Sequence, residues 1–73
     1  MQSSIKAEYH LIVEWLNPQR VGKLSSSERA LFGFLRAVTL GDEQIAWLSS
    51  QFTRLWSRLV CEAKRRKRIA EGH

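Results

Sequence analysis

From Asp42 to Ile69 the chain carries neither glycine nor proline, and a Gly–Asp pair stands at the head of this stretch. Such a pair ends one helix and starts another. Ile45, Leu48, Phe52, Leu55 and Leu59 recur at alternating spacings of three and four, which lines them along one helical face. The alternation continues to Glu62 and Arg66, where the apolar residues give way to KRRKR (Lys64 to Arg68). The spacing therefore predicts a single helix near residues 43–69, about 42 Å long at ~1.5 Å per residue. A compact globule of this chain length has a radius of gyration of about 11 Å and is about 30 Å across. The basic end is thus expected to project beyond the packed body, with a core at about 5–62 and a basic extension at 63–73.

Charge divides the chain in the same place. Between Met1 and Phe52 five basic residues balance five acidic ones. From Thr53 onward seven basic residues face only Glu62 and Glu71, which accounts for the whole net charge of +5. Charge gathered in this way calls for an anionic partner: nucleic acid, an acidic protein surface or, less readily, a membrane. The plainer reading is a solvated face that keeps a small protein soluble.

The 73 residues are 44% hydrophobic, enough for one small core and a single domain over 1–73. Cys61 is the only cysteine, so no intrachain disulfide can form and a reducing, intracellular setting is expected. No apolar run approaches membrane-spanning length, and MQSSIKAEYH lacks the charged lead and apolar stretch of a secretory signal. A cytoplasmic location is expected.

Ahead of the long stretch, Ser3 and Ser4 offer N-caps for a helix over Ile5 to Leu16. Ile5, Tyr9, Ile12 and Leu16 form its stripe, with Leu11 and Trp15 beside it, and Asn17–Pro18 stops it. YHLIVEW also has strand-favouring residues, but its alternation is poor and no second segment exists to pair with it. Gln19 to Lys23 reads as an exposed basic loop carrying Arg20 and Lys23. Ser25 and Glu28 then have the spacing of a capping box. Leu31, Phe34, Leu35 and Val38 follow at helical spacing, with Arg29 and Arg36 on the far side. Gly33 inside this helix costs up to ~1 kcal/mol against alanine and is read as permitting close approach of another helix. The expected fold is all-α: three helices near 5–16, 26–39 and 43–69.

Nothing in the sequence favours catalysis. His10 and His73 have no Cys or carboxylate at a metal-ligand spacing. Ser25 to Ser27 lack a partner base and sit where helix caps belong. Arg58 and Lys64 lie near Cys61 in the sequence, yet no base is placed to make it a nucleophile. The expectation is a non-enzymatic protein without metal or cofactor.

EQIAWL after a glycine has a partial likeness to the second helix of a helix-turn-helix. However, Leu48 falls two residues after Ala46, and Ser49–Ser50 stand where a glycine turn is usual. On that reading TRLWSRLVCEAKRR is the recognition helix, with Arg54, Arg58 and Arg65 toward DNA. Trp47 lies opposite the apolar seam on the same strip as Arg54 and Cys61, while Trp56 and Val60 widen the apolar face. Exposed Trp beside Arg is the composition of a binding hot spot, and a small core using large residues for volume explains it equally.

The order WLNPQRVGKLSSSERALFGFLRAVTLGDEQIAWL followed by FTRLWSRLVCEAKRRKR resembles the small transcription regulators of lytic phages that bind the host's RNA polymerase. The resemblance implies contact with the N-terminal part of the polymerase β′ subunit, displacement of the housekeeping sigma factor with inhibited initiation, and antitermination by read-through of terminators. It also implies a site of action in the bacterial cytoplasm. The residues themselves leave two partner classes open. One is a protein complex met by Arg20, Lys23, Trp47, Arg54, Arg58 and the basic end. The other is DNA or RNA, with Lys64, Arg65, Arg66, Lys67 and Arg68 on phosphates.

Overall fold

A computed structural model describes residues 4–17 and 24–72. Among these, four helices and no strand are present: α1 Ile5–Trp15, α2 Ser26–Ala37, α3 Asp42–Gln51 and α4 Thr53–Glu71. The helical reading of residues 5–16 over the strand alternative is correct. The basic loop expected at Gln19 to Lys23 lies outside the described residues.

The first three helices start where a side chain satisfies a free backbone N–H. The Ser4 hydroxyl accepts a hydrogen bond from Ala7 N at 3.0 Å. Ser25 and Glu28 form the reciprocal box: Ser25 Oγ accepts from Glu28 N at 3.2 Å, and Glu28 Oε1 accepts from Ser25 N at 3.1 Å. Gly41 has no side chain to cap α3, so Gln44 reaches back and accepts from Gly41 N at 3.0 Å.

The long helix expected at 43–69 is two helices. Phe52 leaves helical conformation at φ −118°, ψ 50°, and α4 begins at the next residue. The cause lies in the hydroxyls around it. Thr53 Oγ1 donates to the carbonyl oxygens of Ser50 at 2.9 Å and Ser49 at 3.3 Å, and Ser49 Oγ donates to Ala46 O at 2.9 Å. Side-chain hydroxyls that take up backbone carbonyls compete with the helical ladder and bend it. The ladder resumes with Trp56 N on Phe52 O at 2.8 Å. A helix-turn-helix joins its helices through about three to four residues, whereas a single residue parts α3 from α4.

This break moves the core. Phe52, expected in the seam, is 41% exposed, and Leu55 is half-buried. The enclosed apolar residues of α4 are Trp56, Leu59, Val60 and Ala63, joined by Ile45 and Leu48 of α3. In α2 the buried line is Leu31, Phe32 and Leu35, while Phe34 and Val38, expected inside, face outward. Ile12 and Leu16 complete the core from α1, and Leu24 closes over it. Gly33 is exposed, and a Cβ there would meet nothing within 4 Å, so it permits no close approach.

Helix α1 packs on all three other helices and most extensively on α4. Two polar contacts pin it. Tyr9 Oη donates to Leu35 O at 3.1 Å, and Trp56 Nε1 donates to Glu8 Oε1 at 3.0 Å. The basic end of α4 does not stand clear of the body: Lys64, Lys67, Arg68 and Glu71 line a cleft with Ala7, Glu8 and Leu11 of α1. At ~1.5 Å per residue α4 is about 28 Å long, within the 36 × 31 × 21 Å extents of the molecule. Among the described residues no helix is long and apolar enough to cross a membrane.

Candidate interaction surfaces

Two surfaces follow from the break at Phe52. The first is apolar. Phe34 on α2, Trp47 on α3 and Phe52 at the break are 46%, 58% and 41% exposed. Trp47 and Phe52 meet edge to face, with centroids 6.5 Å apart and planes at 81°. One shallow hollow is lined by Phe34, Leu40, Glu43, Gln44, Trp47 and Leu48. Another is lined by Ser27, Ala30, Leu31, Phe34, Leu48, Phe52 and Leu55. Phe34 and Leu48 belong to both, so the hollows form one continuous face.

The second surface is the outer side of α4. At 3.6 residues per turn, Arg54, Arg58, Cys61, Arg65 and Arg68 fall within about 80° of one another, opposite the buried Trp56, Leu59, Val60 and Ala63. All five are exposed. Two of the arginines are held by carboxylates. Arg58 Nε lies 3.5 Å from Oε2 of Glu28, whose other oxygen caps α2. Arg65 grips Glu62 with Nε at 3.2 Å and Nη2 at 2.7 Å, and Arg66 Nε joins at 3.2 Å. These hydrogen bonds, led by that from Arg65, hold the Glu62 carboxyl at about 2, well below its ordinary 4.5. Glu62 in turn raises the Arg65 guanidinium. Arg54, Lys64, Lys67 and Arg68 have no carboxylate within ion-pair distance among the described residues.

Of the residues singled out by sequence, Arg20 and Lys23 lie outside the described residues. Trp47 is exposed, the first of its two readings, but the break interrupts the register that put it on one strip with Arg54 and Cys61. Lys64 to Arg68 do not lie on one face, because five consecutive helical residues radiate around the axis. Arg66 is turned to Glu62 with its side chain only 21% exposed, while Lys64, Lys67 and Arg68 line the α1 cleft. The apolar face drew on Phe34 and Phe52, which the sequence reading had placed inside. Cys61 is a free, exposed thiol. Compared with family models, curated proteins and solved structures, the chain matches none.

Proposed function

We propose that this chain is a non-enzymatic transcription regulator that docks on bacterial RNA polymerase through the face of Phe34, Trp47 and Phe52. The observation that carries the reading is this continuous aromatic face spanning three elements, with its tryptophan more than half exposed. Large exposed apolar patches on small soluble proteins mark partner sites, and Trp is the residue most enriched at binding hot spots. Polymerase as the partner is supported by the likeness of the chain to small lytic-phage regulators. On that likeness the contact is with the N-terminal part of β′, sigma-dependent initiation is inhibited, terminators are read through, and the action takes place in the cytoplasm of the infected cell.

Purified bacterial RNA polymerase, immobilised and washed in high salt after nuclease treatment, tests the reading directly. The chain is expected to stay bound, because desolvated apolar contacts are not screened by salt. Trp47→Ala is expected to weaken binding at least 30-fold, the equivalent of a hot spot of about 2 kcal/mol. Retained chain should lower sigma-dependent initiation and raise terminator read-through in a purified transcription assay. Loss of the chain in high salt, or undiminished retention of Trp47→Ala, overturns the assignment.

A further inference from the structure

We propose that the outer strip of α4 is a second, separate binding surface, shaped for the phosphate backbone of duplex DNA. The inference is independent of the apolar face and is tested without polymerase.

Helix α4 carries seven basic residues against Glu62 and Glu71. Its charge is not spread evenly: Arg54 and Arg58 form one pair on the outer strip, Arg65 and Arg68 another, and small Cys61 lies between. The centres of the pairs are about 16 Å apart at ~1.5 Å per residue. A B-DNA major groove is about 12 Å wide. A helix laid across it on this face therefore brings one arginine pair to the phosphates of each bordering strand. No bulky side chain on the strip holds the backbone away.

The nearby carboxylates do not cancel the surface. Glu28 and Glu62 are the acidic groups that touch it. Both oxygens of Glu62 are engaged by Arg65 and Arg66, so its charge is already matched. Glu28 orients Arg58 through Nε, and a guanidinium has five N–H donors, so others stay available for phosphate. Arginines held in place lose less side-chain freedom on binding.

The same strip argues against single strands. Proteins that bind these without sequence preference stack bases on aromatic side chains. From Arg54 to Arg68 the one aromatic residue is Trp56, buried on the opposite side of the helix. Arginine can read guanine as well as phosphate. With one pair set on each strand bordering the groove, however, the contact is to the backbone, and such contacts carry no sequence preference.

Binding of the full chain to a 20-base-pair duplex of arbitrary sequence, measured from 50 to 200 mM salt, tests the proposal. Four arginines on four phosphates give a log–log slope of about −3.6, a loss of roughly 150-fold across that range. Arg54→Gln with Arg68→Gln halves the slope to about −1.8, whereas Lys67→Gln, off the strip, leaves it unchanged. All three positions are exposed, so the variants keep their helical circular dichroism. Cys61 supplies a local readout in the unaltered protein: duplex DNA should slow its alkylation by a maleimide. No duplex binding at 50 mM salt, binding that leaves Cys61 alkylation unslowed, an equal loss from Lys67→Gln, or tighter binding to the single strand each overturns the proposal.

Discussion

Replacing Leu59 by alanine and, separately, Phe52 by alanine tests where the core lies. Leu59 is 0% exposed and sits on the face of α4 turned to the body. The substitution removes three carbons, about 2.4 kcal/mol of transfer free energy at ~0.8 kcal/mol per methylene. The unfilled cavity raises this to about 3–5 kcal/mol. At ~0.05–0.15 kcal/mol per residue the whole domain is stable by about 4–11 kcal/mol, so the loss is a large fraction of the total. A loss of ~3 kcal/mol corresponds to a fall in Tm of about 12–24 °C for a domain of this size. Phe52 keeps 41% of its surface in water, and its ring contact is with Trp47, itself exposed. Its replacement should cost less than ~1.5 kcal/mol, because a large part of its area was never removed from solvent and its ring lies outside the enclosed core. Urea unfolding followed by far-UV circular dichroism reads both, with unchanged slopes confirming that only stability has moved. Equal losses from the two variants would refute the break, since they place Phe52 back in a continuous seam with Leu59.

Gly33→Ala should stabilise the protein by about 0.5–1 kcal/mol, because the site is helical and a Cβ meets nothing there; thermal melts will show it. Trp56→Phe should cost roughly 1–2 kcal/mol by removing the indole N–H from Glu8, and a double-mutant cycle with Glu8→Gln isolates that coupling. Truncation after Ala63 should lower Tm by about 5–10 °C, since it strips Arg65 and Arg66 from Glu62 and uncovers α1. Glu62 adds a pH term of definite sign. Its carboxyl is depressed to about 2 in the fold, so the stability it contributes is complete above pH 4.5 and disappears as pH falls toward 2. Acid titration of Glu62→Gln should be flatter than that of the wild type over this window.

The capping signals and the later half of the α1 stripe were legible because they are local, whereas Ile5 at its start is exposed. Ser25 and Glu28 specify a box by their spacing alone, and Ile12 and Leu16 fall inside as the period requires. What escaped was the choice between two apolar registers. In α2, Glu28, Leu31, Phe32 and Leu35 also follow helical spacing, and burial chose this line over the one through Phe34 and Val38. Single-sequence periodicity ranks such lines equally when both are apolar. The break at Phe52 had a visible signal in Ser49, Ser50 and Thr53, but hydroxyl competition with the backbone depends on rotamers that a periodicity does not encode. The candidate surfaces inherited these two choices. Once Phe34 and Phe52 are outside and the register restarts at Thr53, the aromatic face and the arginine strip separate.

The close packing of α1 on α4 sets the order of synthesis against the order of assembly. Trp56, Leu59, Val60 and Ala63 are four of the twelve enclosed apolar residues among those described, and all are translated after the other three helices. Glu8 waits 48 residues for the indole that it binds. While α4 is still within the ribosomal exit tunnel, α1 to α3 have only part of a core, and their apolar faces stay open to chaperones and to one another. A domain generally folds as a unit, and the full core of this one exists only once α4 has been made.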